Sequence, residues 1–204
     1  TGTTPFKMSD MNHYTGLFAE AGSFDIPASV QVGLAVDLSP ALTVMFDWRH
    51  IWFSSIDSVG NPSTNLTNGC NGAGDPTQCL GGSNGPGFGW KDVDAFKFGV
   101  EYRANSNLTL RGGYAYNTQP IRSRDVTFNI LAPAVTQHHI TGGLEYGLGG
   151  GYSLELAGMY APKVSVSGPD LFTGPAQTVT IEMDQYEVTA GIKYKWDEVS
   201  APLK

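Results

Sequence analysis

The sequence predicts an all-β chain that crosses a membrane as part of an antiparallel β-barrel, and three observations favour this fold class. Apolar residues alternate with polar or small residues along most of the 204 residues, and no amphipathic-helix pattern is sustained. Connections between the alternating segments are short and long in turn, as in transmembrane barrels. Charged residues make up only 15% of the chain and glycine reaches 26 residues, which does not suit a charge-coated globule.

Composition and hydropathy argue against two other classes of protein, namely nucleic-acid-binding proteins and proteins that span a membrane with helices. The chain has 12 Lys and Arg against 19 Asp and Glu, a formal net charge of −7, and no basic run, so a nucleic-acid partner is not expected. No apolar run approaches the roughly 18 residues that a membrane-spanning helix needs. Residues 1–10 lack the charged and apolar regions of a signal peptide. If the chain has a membrane role, strands must therefore cross the membrane.

Seven segments carry the period-two alternation, and together they predict seven transmembrane strands within residues 28–196. They are Val30–Leu38, Leu42–Arg49, Ala95–Tyr102, Leu108–Asn117, Val135–Leu148, Tyr152–Ala161 and Val179–Trp196. With 8 to 18 residues, they reach or nearly reach the roughly 9–11 residues that a tilted strand needs to cross hydrocarbon. Beyond His50 the alternation loses its phase, which predicts a bulge near Ile51–Phe53.

The connections alternate in length. Short turns are expected at Ser39–Pro40, Asn105–Asn107 and Gly149–Gly150, and long outer loops at 58–88, 119–133 and 164–177. This pattern places tight turns at one end of the barrel and long loops at the other. Residues 1–27 would be a loop segment leading into the first strand, and residues 197–204 a C-terminal tail.

A secreted β-sandwich is the alternative fold, since it also alternates and carries glycine-rich turns. Aromatic residues at strand ends on the apolar face favour the barrel, where they form an interfacial girdle. These residues are Trp48, Tyr102, Tyr116, Tyr146, Tyr152, Tyr160 and Trp196. Seven hairpin-linked strands cannot close with antiparallel pairs throughout, so the rest of the wall must come from residues outside this sequence.

The two cysteines, Cys70 and Cys79, lie in one glycine-rich loop without a nearby histidine. A free-thiol pair is possible, but the spacing favours a disulfide over a zinc site. A disulfide would imply an oxidising compartment.

Charged residues recur on the polar face of the strands. They are Asp37, Asp47, Arg49, Lys97, Glu101, Arg111, Glu145, Glu155, Glu187, Lys193 and Lys195. The first interpretation is that they line the wall and pair across neighbouring strands. The second is that a cation beside an apolar pocket receives a carboxylate, for which Arg49, Lys97, Arg111 and the loop residue Lys91 are candidates.

Apolar residues also cluster where outer loops should face water. They are Leu17, Phe18, Phe24, Ile26, Phe88, Trp90, Phe128, Ile130 and Leu131. They indicate either a packed loop cap or a groove that captures a hydrophobic molecule, and the sequence favours neither. Phe18, Phe24, Phe88, Trp90 and Phe128 are the candidate binding residues among them.

No motif predicts an enzyme, a metal site or a cofactor. His138 and His139 are adjacent on a strand, so their rings point to opposite faces and cannot bind one ion together. The glycines of Gly147–Gly151 precede no helix, which argues against a phosphate cradle. A Gly-x-Ser-x-Gly nucleophile motif is absent.

Five pieces of the chain resemble the FadL/TodX family of outer-membrane transporters for hydrophobic compounds. In family order they are Tyr14–Pro27, Ser39–Thr43, Gly85–Asp92, Leu110–Tyr116 with Gln119–Ile121, and Phe128–Pro133. Each piece alone is weak, but their order and spacing extend the resemblance over about Phe6 to Trp196.

The resemblance implies a 14-stranded barrel plugged by an N-terminal hatch, with this chain supplying the last seven strands from the fourth outer loop onward. Long-chain fatty acids or monoaromatic hydrocarbons would cross passively and leave sideways through an opening in the wall. The hatch, the first strands, membrane lipid and lipopolysaccharide would be its partners in the bacterial outer membrane. A structural or adhesive barrel, whose loops bind a surface partner, is the alternative function.

The chain departs from the family's pattern at its end. A family member should finish on an aromatic residue, and Tyr194 and Trp196 fit that expectation. Residues 197–204 nevertheless continue beyond them.

Overall fold

The computed structural model describes residues 25–70 and 75–196, and this part of the chain is almost entirely β-structure. Residues 1–24 of the expected loop segment 1–27, with Phe18 and Phe24, and the tail 197–204 lie outside the described residues. The strands are β1 (Ser29–Ser39), β2 (Leu42–Ile51), β3 (Val93–Arg103), β4 (Leu108–Asn117), β5 (His138–Gly149), β6 (Tyr152–Asp170) and β7 (Gly174–Tyr194). One short helix, α1 (Asp57–Gly60), and several 3₁₀ turns lie in the loops.

Each strand pairs antiparallel with the next, which gives one seven-stranded sheet in the order β1 to β7. A single row of side chains crosses the whole sheet on its apolar face. The row is Leu34, Phe46, Phe98, Tyr114, Ile140, Tyr160 and Tyr186. Leu34 is 64% exposed and Val188 is 80% exposed. An apolar face left open in this way is the lipid-facing outer face of a barrel.

Three short turns join the strands at one end of the sheet, which we call the turn side. In the β3–β4 turn, the Asn105 side-chain oxygen accepts hydrogen bonds from the backbone N–H groups of Asn107 and Leu108, both at 2.9 Å. The β5–β6 turn uses Gly149, Gly150 and Gly151, whose φ angles are +87°, +59° and +83°. Only glycine adopts three such angles in succession without strain, which explains the glycine run.

The opposite end, the loop side, carries the long connections 52–92 and 118–137. These contain the expected loops 58–88 and 119–133. The bulge expected near Ile51–Phe53 is not formed: β2 ends at Ile51 and a 3₁₀ turn follows at Phe53–Ser55. The start expected for β5 at Val135 is also wrong, because Val135 is fully buried among loop residues and the strand begins at His138.

The third long loop, expected at 164–177, is instead a strand hairpin. β6 continues to Asp170 and β7 begins at Gly174, not at Val179, so only three residues form the connection. The pairing register shifts between Ala161 and Val164, where two residues of β6 lie opposite one residue of β7, so that β6 carries one extra residue. This bulge explains why the alternation of β6 could not be extended past Ala161 from the sequence.

The buried core lies on the loop side. Ile121, Val126, Val135 and Ile181 form it, with Trp90, Val166, Val179 and Met183 packed against it. We call the unit built from loops 52–92 and 118–137 and the hairpin extension 162–183 the loop cap. No helix in the described ranges is both long and apolar enough to span a membrane.

Candidate functional site

The inner face of the sheet carries a ladder of ion pairs near the turn side. Arg111 donates to Glu101 and to Glu145, both at 2.9 Å. Lys193 donates to Glu145 at 2.7 Å and to Glu155 at 3.3 Å. These residues come from β3, β4, β5, β6 and β7, so the charges pair across the wall as the wall-lining interpretation predicts. Two carboxylates already neutralise the candidate cation Arg111.

Lys97 lies nearer the loop side and has no such pairing. Asp47 is its direct cross-strand partner on β2. The Asp47 carboxylate, however, leans towards Gly33 on the far side and accepts a hydrogen bond of 3.4 Å from Gln31. Across residues 25–70 and 75–196, Lys97 makes no side-chain hydrogen bond or ion pair. It is therefore an inward cation available to an anionic group.

The other two candidate cations lie closer to the loops. Arg49 donates to the Ser29 hydroxyl at 3.2 Å. Lys91 is exposed, and its backbone N–H binds the Pro120 carbonyl at 2.9 Å, where loops 52–92 and 118–137 meet. The structure thus places the four candidate cations at different heights and does not bring them together.

Three of the candidate aromatic residues do come together in the loop cap. The ring centroids of Phe88 and Trp90 are 6.2 Å apart, and those of Phe88 and Phe128 are 5.3 Å apart. Phe53 extends this aromatic row, with its ring 4.9 Å from Trp90. All four rings are half-buried, so each keeps an open edge. Phe53 was missed because the sequence around it was interpreted as a bulged strand.

A buried polar centre holds the two long loops together. The Asp125 carboxylate is fully buried and accepts hydrogen bonds of 2.8 Å from both the backbone N–H and the hydroxyl of Ser63. Asn129, also fully buried, accepts from the Trp90 indole at 2.6 Å and donates to the Phe88 carbonyl at 2.6 Å. These bonds fix the positions of the aromatic rings. Sequence reasoning missed both polar residues.

The hairpin tip is tied to the same centre. The Thr127 hydroxyl donates to the Pro169 carbonyl at 3.3 Å and accepts from the Leu171 N–H at 3.0 Å. At the tip, the hydroxyl of Thr173 and the backbone N–H of Phe172 bind Asp170 and lower the pKa of its carboxyl group. The disulfide expected between Cys70 and Cys79 is confirmed and lies within loop 52–92 of the cap.

A cavity of about 700 Å³ lies against the inner face between the charge ladder and Lys97. Its volume falls in the range of ligand pockets, roughly 300–1,000 Å³. The inward residues that line it are Met45, Asp47, Lys97, Gly99, Arg111, Gly113, Ala115, Thr141, Gly143, Glu155, Ala157, Met159, Glu187, Thr189 and Gly191. The middle of this lining is small and apolar, while the charges lie towards its margins.

The adjacent histidines His138 and His139 lie on opposite faces of the sheet. His138 binds the Tyr114 hydroxyl at 2.7 Å on the outer face, while the neighbouring His139 belongs to the inner face. Within the described ranges, no group of three or more His, Cys, Asp or Glu side chains is arranged to hold a metal ion.

Comparison with known proteins relates this architecture to a family. Residues 12–197 match the family model described as outer membrane protein transport protein (OMPP1/FadL/TodX). The crystal structure of the Pseudomonas putida toluene transporter TodX is similar with a TM-score of 0.51 at 19% identity, covering 84% of this chain and 34% of TodX. A deltaS2 mutant of the TodX monoaromatic hydrocarbon channel gives 0.55 at 19% identity, covering 85% of this chain and 36% of the mutant.

The chain thus spans about a third of the length of these solved structures. No curated protein matches it. The likeness to TodX supports the strand architecture, and the family match covers most of the chain. The chain belongs to the outer membrane transport protein family OMPP1/FadL/TodX and lies in the bacterial outer membrane as antiparallel strands of a β-barrel.

Proposed function

We propose that this chain forms part of an outer-membrane channel for passive uptake of hydrophobic molecules, either long-chain fatty acids or monoaromatic hydrocarbons. The observation that carries the proposal is the inner-face cavity, whose small apolar middle lies between a cap bearing open aromatic rings and a ladder of charges. Such a pocket selects solutes by shape and apolar contact. The chain performs no chemistry in this account.

The aromatic row of the cap is the proposed capture surface. Phe88, Trp90, Phe128 and Phe53 present half-buried rings next to one another, and a hydrophobic molecule that covers their open edges removes apolar area from water. Phe18 and Phe24, on the segment that leads into β1, remain proposed contributors.

Lys97 is the proposed cation for a fatty-acid carboxylate. It lines the cavity and makes no ion pair with the described residues, whereas Arg111 is held by Glu101 and Glu145. An ammonium group and a carboxylate attract strongly where water is partly excluded. Arg49 and Lys91 remain candidates for guiding an anionic head group from the outer mouth.

The charge ladder supports lateral release. A hydrophobic molecule that moved from the cavity towards the turn side would displace solvated, paired charges and gain no apolar contact in return. Exit sideways into the lipid, through a part of the wall outside this chain, avoids that cost. Membrane lipid, lipopolysaccharide and the remaining strands with their hatch are the partners in this proposal.

Uptake by intact cells tests the proposal. Cells that lack other such transporters, with and without the full-length protein, would be given labelled oleate and labelled toluene. We expect faster uptake of at least one solute when the protein is present. If cells with and without the protein take up each solute at the same rate, the proposal is overturned. Lys97→Met should slow oleate uptake and spare toluene, whereas Lys163→Met, an exposed lysine of the hairpin extension, should change neither.

An adhesive barrel is the competing function, and the disulfide-closed loop at Cys70–Cys79 is the feature that favours it. Removing this loop should abolish adhesion to a surface partner if adhesion is the function. Under our proposal the same variant should retain hydrophobic uptake.

A further inference from the structure

The small apolar wall of the cavity is formed by backbone and methyl groups of neighbouring strands. Gly99 on β3 lies opposite Gly113 on β4, and Gly143 on β5 lies opposite Ala157 on β6. Strands are about 4.8 Å apart, and same-face positions along a strand repeat at about 6.8 Å. The half-buried backbone of these glycines therefore forms a shallow floor, which the Thr141 hydroxyl borders: a Cβ placed on Gly113 would lie 2.6 Å from its oxygen.

Met45 borders this floor at one side. Its side chain leans over Gly99: a Cβ atom placed on Gly99 would lie 3.4 Å from the Met45 methyl carbon. Met159 lies across the sheet beside Thr141 and also lines the cavity. Methionine side chains adopt many rotamers and make favourable contacts with aromatic rings, so Met45 supplies an adjustable edge.

The outer face at the same height provides an internal comparison. Gly112 and Gly142 are the chain neighbours of Gly113 and Gly143, pair with each other across β4 and β5, and face lipid. A Cβ atom on Gly112 or Gly142 would have nothing within 4 Å. Side chains added there change the wall without entering the cavity.

We infer that Met45 and Gly99 are specificity-determining positions: the methionine resting over the bare glycine backbone sets the largest solute that the cavity admits. This inference rests on the proposed function, because it assumes that the solute passes through the cavity. A larger residue at Gly99 pushes the Met45 thioether into the cavity and narrows it. A smaller residue in place of Met45 uncovers the floor and widens the cavity.

The test measures initial uptake of a size series, from toluene to propylbenzene and naphthalene, by cells carrying the full-length protein. Gly99→Leu should reduce uptake of the larger solutes at least tenfold relative to toluene, and Met45→Ala should shift the profile in the opposite direction. The outward-facing controls Gly112→Leu and Val44→Ala should stay within twofold of the wild type for every solute.

The results distinguish failure of the inference about Met45 and Gly99 from failure of the proposed function. An unchanged size profile in both Gly99→Leu and Met45→Ala, or equal effects from the outward controls, would overturn it while leaving the proposed function intact. A wild-type protein that takes up none of these solutes, and no fatty acid, would overturn the proposed function itself. If Gly99→Leu fails to fold, judged by heat-dependent gel migration, Gly99→Ala against Gly112→Ala repeats the comparison, since a Cβ on Gly99 lies 3.4 Å from the Met45 methyl carbon.

Discussion

Single residues in the cap depend on partners that are distant in the sequence. Asp125 binds Ser63, which lies 62 positions earlier, and Asn129 binds Trp90, which lies 39 positions earlier. No local pattern marks a polar residue that becomes buried by a partner from another loop, so these contacts could not be predicted. The aromatic residues were predictable as a group because apolar side chains are unusual in water-facing loops.

Gly89 shows how closely the two loops approach. Its φ of +68° lies in the left-handed region, and a Cβ atom there would collide with the Asp125 carboxylate. Gly89→Ala should therefore separate the loops and make the cap sensitive to protease at concentrations about tenfold below those that cut the wild type. Limited proteolysis with mass spectrometry of the fragments measures this.

Gly69→Ala is the matched control. Gly69 also has a positive φ, +81°, but a Cβ atom there would have no atom of the described residues within 4 Å. Both substitutions carry the backbone cost of roughly 1–2 kcal/mol, and only Gly89→Ala adds the collision. Equal protease sensitivity of the two variants would contradict the role given to Gly89.

Strands were the most predictable elements, because burial in lipid on one side imposes strict alternation. The upper part of the β6–β7 hairpin shows the limit of that rule. Below the bulge, Leu156 and Tyr160 face outward and are apolar. Above it, Val164 and Val166 pair with Met183 and Ile181 on the inner side, where the hairpin extension packs against loop 118–137. The apolar side therefore switches from the lipid face to the inner face above the stacked Tyr160–Tyr186 pair, whose rings are 4.9 Å apart.

This switch predicts the membrane boundary. Ser165→Cys, outward and above the bulge, should react on intact cells with a membrane-impermeant maleimide. Leu156→Cys, outward and below it, should react only with a lipid-soluble reagent. Mass-shift labelling measures both, and reaction of Leu156→Cys with the impermeant reagent would place the boundary elsewhere.

The charge ladder should stabilise the pairing of the strands that it connects. Glu145 joins β4 and β7 through Arg111 and Lys193, and its side chain is only 14% exposed. Glu145→Gln should lower the free energy of unfolding by about 1–3 kcal/mol, because hydrogen bonds to charged groups are lost in a partly buried site. Urea titration of the full-length protein in lipid vesicles measures this change.

Glu182→Gln serves as the comparison. Glu182 pairs with Lys163 on the exposed hairpin extension, where both side chains are more than half accessible. Exposed pairs contribute roughly 0–1 kcal/mol, so the loss should be smaller than for Glu145→Gln. A larger loss for Glu182→Gln would contradict the assignment of the ladder as the inner brace of the wall.

At the scale of the whole molecule, the sheet has two edges, β1 and β7, with no further strand beyond either one in the described residues. Unpaired backbone groups in lipid cost several kcal/mol each, so we expect further strands to cover both edges. The sequence alone predicts this incomplete wall, because an odd number of hairpin-linked strands cannot close with antiparallel pairs throughout. It could not predict the cavity, because the cavity depends on which inward positions of adjacent strands fall into register.

The most direct test is photolabelling of the full-length protein in intact cells with a diazirine-bearing alkylbenzene, followed by mapping of the adducts. We expect adducts on inner-face peptides around Met45 and Met159, and we expect these adducts to disappear when excess unlabelled solute is added. Labelling confined to the lipid-facing side chains, and unaffected by competitor, would show that the hydrophobic molecule does not pass along the inner face.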